Sequence, residues 1–380
     1  MKNQKKRMGE LDALKGMSAV VIALLYHYKD YWIQGGTNPM DGIPVIWHLV
    51  LNGRWLVELF YIISGFTLYI GYKKKVLEAG GYSFFIKRLV RIMPVMDAAV
   101  LSAWILQWII KWITGSTWCA PDAGLDTWHT FYALLGLQHL VDTAANIIPA
   151  SWFIGPLFLC YALFWPLMKF AAKKENGWTI FLLPFLIGVA LSSVDWLGHP
   201  LVNQSIGVGL MNFFFGVLLR MAMDAIENSE HRAAIERLIT RLVLCLSALL
   251  LFMSVLNDYE CKKLQVTMHL YGDMRSVYAL IVSPTLIWLS IKWKPLNRLL
   301  NIRGLVFLGE ISFSMYMWHE PLYSLIHLIQ VKTGFPQDTT TMAFFFAVAA
   351  LLIVVSALSY YFLEKPAQKY LLKKLCWSES

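Results

Sequence analysis

Charge is what this chain has least of. Only 15% of its 380 residues are Asp, Glu, Lys or Arg, while 58% are hydrophobic. A soluble domain of ordinary composition carries about 25% charge, so a water-soluble fold is excluded. The short alternating segments of an outer-membrane barrel are missing too, because the apolar stretches here run on uninterrupted. Five cysteines are too sparse for a disulfide framework. Cys160, Cys245 and Cys376 fall in intramembrane or cytoplasmic positions, and only Cys119 and Cys261 lie in outer loops where a bridge would be conceivable. No small-residue cleavage site follows the basic start, so the first apolar stretch is expected as an uncleaved helix. Neither a solenoid repeat nor an inverted duplication is visible.

What the chain has in plenty is apolar and aromatic. Its 16 Trp, 17 Tyr and 22 Phe suit rings placed at membrane interfaces. Apolar spans are predicted near 12–31, 54–72, 94–114, 151–171, 178–195, 206–222, 239–257, 275–292, 308–330 and 341–363, several of them shorter than the ~20 residues that cross unassisted. The expected fold is all-α: a polytopic membrane helical bundle of about ten transmembrane helices, in one domain over 1–380. Twenty-five of the 33 basic residues then fall on one face of the membrane and seven on the other, with Lys15 inside the first span. The positive-inside rule therefore puts both termini in the cytoplasm, and the chain in the cell (inner or plasma) membrane. The formal charge of +9 reflects that topology and argues against a nucleic-acid partner.

Between the spans, 115–150 lacks Lys and Arg and is rich in aromatics, so part of it is expected as an interfacial helix where a polar partner arrives. The segment 221–238 alternates in charge and is expected as a solvated helical extension without chemistry.

Ionisable residues inside the spans are the candidates for chemistry, since lipid-embedded chains avoid them. Lys15 and His27 share the first helix and lie about 18 Å apart along its axis. With Lys15 near the inner edge of a ~30 Å core, His27 falls beyond the midplane. The second span runs the opposite way from Arg54, bringing Glu58 to the depth of His27 and Ser64 to mid-depth. A carboxylate beside an imidazole fixes its tautomer and raises its basicity. Glu58 has a second available partner in Arg54, four residues back on the same helix face.

The ordered set Val57-Glu58-Leu59-Phe60-Tyr61-Ile62-Ile63-Ser64-Gly65-Phe66, Lys87-Arg88-Leu89-Val90-Arg91, Trp152-Phe153-Ile154 with Tyr161 and Pro166, Gly309 to Pro321, and Glu364-Lys365-Pro366 resembles the membrane acyltransferase-3 family over nearly the whole chain. The resemblance implies O-acyl transfer from cytoplasmic acyl-CoA, here acetyl-CoA, to an extracytoplasmic glycan, glycolipid or similar acceptor, with membrane lipid as surroundings and no metal. It maps the first-helix basic residue and histidine onto Lys15 and His27, the acid onto Glu58, and the arginine pair onto Arg88 and Arg91. Three departures stand out. Lys15 replaces the common arginine, Leu157 stands where many relatives have glutamate, and eleven residues separate Lys15 from His27 where ten are usual. That extra residue turns the two side chains from about 20° to about 120° apart unless a π-bulge absorbs it.

On this reading His27 is the general base, Glu58 orients it, and Ser64 either hydrogen-bonds the developing oxyanion or bonds its own helix backbone. Arg88 and Arg91, with Lys15, hold the donor, or the arginines simply anchor the inner face. Trp318, His319 and Trp152 are candidates for the acceptor. A transporter or flippase using the same intramembrane charges is the competing reading.

Overall fold

The computed structural model describes residues 8–32, 53–78, 80–118, 120, 122–141, 146–193, 198–264 and 278–375. In chain order the helices begin with α1 (Gly9–Val21), a π segment (Ile22–His27), α2 (Tyr28–Trp32), α3 (Leu56–Tyr72) and α4 (Gly81–Thr114). Then come α5 (Thr127–Leu134), α6 (Ile154–Ala171), α7 (Thr179–Ser192), α8 (Gln204–Glu227) and α9 (Arg232–Leu264). A second π segment (Tyr278–Val282) leads into α10 (Ser283–Lys292), α11 (Lys294–Leu300), α12 (Arg303–Glu310), α13 (Ser312–Thr333) and α14 (Met342–Ser359). A third π segment (Tyr360–Glu364) joins α14 to α15 (Lys365–Leu375). The β structure among the described residues is one antiparallel pair, Gly198–His199 with Val202–Asn203.

Helices overlie each of the ten predicted apolar intervals, and among the described residues five are long and apolar enough to cross a membrane. α4 and the continuous helix from Met342 to Leu375 each have 34 residues, about 51 Å at 1.5 Å per residue and well beyond a ~30 Å core. Their polar ends therefore project: α15 has no buried residue, and it packs along α4. The segment 115–150 does contain a helix, α5, whose exposed Trp128 and Phe131 suit an interface. Asp126 caps it, its carboxylate accepting from the Trp128 amide at 3.1 Å. The charged extension expected over 221–238 is instead broken by a turn at 228–231, where the Ser229 hydroxyl accepts the His231 amide at 3.2 Å. Cys119, Cys376 and the Cys261 side chain lie outside the described residues, so the conceivable Cys119–Cys261 bridge does too; Cys160 and Cys245 are free thiols.

The chain gathers into two compact units, residues 1–60 with 222–313, and residues 61–221 with 314–380. In the first, α1 lies along α12 so closely that a Cβ on Gly16 or Gly309 would strike the facing backbone. Small residues let helix backbones approach in this way where lipid gives no hydrophobic drive between helices. Trp288 on α10 donates its indole N–H to Thr240 of α9 at 3.0 Å. Beside it Lys292 holds Glu227 at 2.8 Å and Glu236 at 2.7 Å. The residues read as a solvated face thus include one ion-paired knot.

In the second unit the same device appears between α3 and α8. A Cβ on Gly65 would meet the Phe213 carbonyl, and one on Gly216 the Ile62 carbonyl. Phe66 is fully buried beneath the Arg220 guanidinium, 5.6 Å from its ring centre. The rings of Tyr72, Phe84, Phe164 and Trp165 interlock and pin the start of α4 to α6. Lys169 lies over Trp165 at 5.6 Å.

Candidate functional site

In the first unit, the α1–α12 crossing fixes Lys15, whose ammonium is 2.6 Å from the Asp12 carboxylate one turn back. Between Lys15 and His27 the helix changes register. Ile22–His27 is π-helical, which is what the extra residue in the Lys15–His27 interval requires. Twelve steps of about 100° would turn His27 about 120° from Lys15; absorbing one residue leaves about 20°. His27 is half-buried between the rings of Tyr26 and Tyr31, at 5.1 and 6.1 Å.

The π segment packs on the short 3-10 turn Gly53–Trp55, where a Cβ on Gly53 would run into that of Tyr26. Glu58 follows within the first turn of α3 and is completely buried, whereas Arg54 is exposed. The π segment that ends at His27 thus packs beside the turn that leads into the first turn of α3, where Glu58 lies.

In the second unit, Ser64-Gly65-Phe66 divides its labour. Gly65 makes the crossing with α8 and Phe66 fills the core, so Ser64 takes a third direction and comes within hydrogen-bonding reach of the Tyr161 hydroxyl on α6. Arg88 and Arg91, three apart on α4, both act electrostatically on Tyr161. Arg88 is half-buried with its Nε unpartnered among the described residues, 5.9 Å from the Phe84 ring centre, while Arg91 is exposed. Arg91 also acts on Glu364, a buried carboxylate that accepts from the Ser314 hydroxyl at 2.9 Å and from the Gln368 amide at 3.2 Å. The structure therefore brings together Ser64, Arg88 and Arg91, and adds Tyr161, Ser314 and Glu364. Leu157, at the position of the absent glutamate, is buried on α6.

Trp152 and His319 belong to a second cluster in this unit. Trp152 rides on the 3-10 turn Pro149–Phe153, which is clamped from several sides. The Tyr61 hydroxyl donates to the Phe153 carbonyl at 2.7 Å and the Tyr316 hydroxyl to the Ala150 carbonyl at 2.9 Å. The Ala150 amide lies 3.3 Å from both oxygens of Glu320. Trp152 packs against Tyr61 and His139, with ring centres 6.4 and 6.3 Å away. His319 is fully buried, and its Nδ1–H donates to the Tyr316 carbonyl at 2.7 Å, so its lone pair is on Nε2. Trp318, expected beside them, is on another face of α13. Its indole donates to Ser359 at 2.8 Å, and its ring lines an apolar groove of about 350 Å³ with Leu106, Leu322, Leu325 and Val355. A change of about 100° per residue along a helix separates adjacent side chains in this way.

The two tyrosine clamps had no signal in the sequence, because a hydroxyl bonded to a distant carbonyl leaves no spacing pattern. Glu364 had one: an acid closing the last apolar run, where a carboxylate is costly without partners.

An acyltransferase-domain family, acyltransferase-3, matches residues 8–361. Proteins of Staphylococcus aureus strains MRSA252 and COL, provisionally named O-acetyltransferases, are each 22% identical over 400 residues, covering 99% of this chain and 60% of their own. The chain thus spans about 60% of the length of these relatives. No solved structure matches.

Proposed function

This chain belongs to the acyltransferase-3 family of membrane proteins, and on that premise we propose that it moves an acetyl group from cytoplasmic acetyl-CoA to a hydroxyl of an extracytoplasmic carbohydrate or related envelope acceptor. The observation that carries this reading is the π segment Ile22–His27. It keeps His27 on the face of Lys15 despite an interval one residue too long for a plain helix. His27 takes the proton from the acceptor hydroxyl, and the freed oxygen attacks the thioester carbonyl. The carbon–sulfur bond then breaks, the carbonyl re-forms, and the imidazolium returns its proton to the leaving thiolate. Buried Glu58 holds the imidazole in the basic tautomer. Ser64 donates to the developing oxyanion.

Arg88 and Arg91 grip the donor phosphates. Lys15 supports the donor from the first helix. Trp152, carried on its clamped turn, faces the acceptor, while fully buried His319 acts on that site only as a brace within α13. The names of the relatives support acetyl as the group transferred. The orientation with both termini cytoplasmic rests on the distribution of basic residues.

The test is acyl transfer in proteoliposomes given radiolabelled acetyl-CoA and an envelope-glycan extract. Label is expected to become covalently attached to glycan, and to be lost with His27→Ala while insertion is unchanged. Label that crosses the bilayer without joining an acceptor would instead mark a transporter.

A further inference from the structure

The final acid of the last long helix has a role that the reaction scheme above leaves unassigned. Glu364 ends the π segment Tyr360–Glu364 and is only 5% exposed. In an α-helix, residues five apart point about 140° away from each other. In a π turn, which closes i to i+5, they come back to the same side. That is the arrangement here: Ser359 and Glu364 both face the Ser314 hydroxyl, at 3.5 and 2.9 Å. The extra residue thus swings the carboxylate inward. Gln368, one turn on, donates to its other oxygen at 3.2 Å. Both oxygens are therefore engaged, and the carboxylate is fixed in position.

What it is fixed against is α4. The π segment and α15 both pack on that helix, and the Arg91 guanidinium lies within electrostatic reach of the carboxylate. Arg91 itself is exposed, and a long exposed side chain has considerable rotamer freedom to lose when it binds a ligand. A carboxylate anchored by neutral donors on its other edges removes that freedom in advance.

We propose that Glu364 is a positioning residue for the donor site, holding Arg91 beside Arg88 as a preformed cradle for the phosphates of the acyl-CoA. This rests on the donor role given above to the two arginines. It also makes a prediction opposite to simple electrostatics. Removing a negative charge next to a polyanion site would by Coulomb's law tighten binding; removing a positioning group loosens it.

The experiment measures binding of CoA itself to the full chain in nanodiscs, with the KM for acetyl-CoA read alongside. Glu364→Gln and Arg91→Ala are each expected to weaken CoA binding about tenfold, the worth of one hydrogen bond to a charged group. The double variant is expected to be no weaker than Arg91→Ala alone, because Glu364 acts on the donor only through Arg91. KM should rise by the same factor with kcat changed less than about twofold, the pattern of lost uniform binding. Glu364→Asp should restore most of the affinity, and Ser314→Ala, a milder change, should give a smaller loss of the same kind.

CoA binding that is unchanged or tighter in Glu364→Gln, with Arg91→Ala still weakened, overturns the positioning role alone. Additive losses in the double variant overturn it as well. If neither variant alters CoA binding, the donor role of the arginines fails and this proposal with it. Should Glu364→Gln fail to fold, Glu364→Asp and Ser314→Ala carry the same comparison.

Discussion

The two units hold their interior polar groups by different means. In the first, charge is met by charge: Asp12 with Lys15, and Glu227 and Glu236 with Lys292. In the second, the donors are mostly neutral: Tyr61 on Phe153, Tyr316 on Ala150, Gln107 on Ser324 and Trp318 on Ser359, and even the buried carboxylates Glu320 and Glu364 are held by the Ala150 amide and by Ser314 and Gln368. The two histidines of the candidate site follow the same division. His27 is half-buried beside a π segment and tyrosine rings. His319 is sealed in the core with Nδ1 tied to its own helix. A base must reach a proton from outside the protein, and the half-buried ring is the better placed. The lesson is that burial and fixed hydrogen bonds mark a brace, while partial exposure at a register shift marks a site of exchange.

The largest effect is expected where that contrast is sharpest. His27→Gln should lower kcat by about 10²–10⁴-fold, the usual worth of a positioned general base, with the protein still folded and monodisperse in detergent. His319→Gln should cost stability and raise the KM for acceptor while lowering kcat far less. Steady-state kinetics on both variants decide the matter: equal collapse of kcat would make His319 the base and invert the comparison.

The π segment gives a second way to break it. Deleting Leu25 should let Ile22–His27 close into an ordinary helix, leaving His27 aligned with Lys15 and activity within a few-fold of the unaltered chain. Deleting two residues removes the slack and turns His27 by about 100°. A displacement of that kind costs on the order of 10²-fold even when all groups are present. If the single deletion is as damaging as the double, the π register has no part in the site.

How much of this was legible from the residues alone follows from where each signal lies. Apolar run length located the helices, because a membrane span must satisfy its backbone within itself. Antiparallel counting brought Glu58 to the end of its span nearest His27. The Lys15–His27 interval showed that a π-bulge was needed, though only coordinates place it at Ile22–His27. Trp318 was grouped with His319 by adjacency, which ignores the turn between neighbouring helical residues. The break at 228–231 was hidden because charged residues suit a helix and a turn alike, and capping by Ser229 decided it. The ion pairs of Lys292 reach 56 and 65 residues along the chain, a separation that no local pattern encodes.

A smaller effect is expected at the clamp on the Trp152 turn. Tyr316→Phe removes one neutral hydrogen bond to the Ala150 carbonyl, worth about 1 kcal/mol. The turn should loosen, the KM for acceptor should rise a few-fold, and kcat should hold. A melting curve and acceptor titration check both halves. No change in either would mean that Glu320, Tyr61 and Gln138 hold the turn without help.

The smallest effect separates charge pairing from neutral bonding by pH. Burial pushes the Glu236 carboxyl up, but hydrogen bonds from Lys292 and Arg232 outweigh it and hold the group below its ordinary value. A depressed folded value means that the stabilisation is present above the unfolded carboxylate range, near pH 4.3, and is lost as pH falls through the folded value. Thermal melts from pH 7 downward should therefore show a loss of at most about 1 kcal/mol from this partly exposed pair, and Glu236→Gln should flatten that part of the profile. Tyr316→Phe should leave the acid slope untouched, since a phenol bonded to a carbonyl gains no proton in that range. A slope that survives Glu236→Gln would shift the acid sensitivity to Glu227 or to the Asp12–Lys15 pair, both still in the unit that pairs charge with charge.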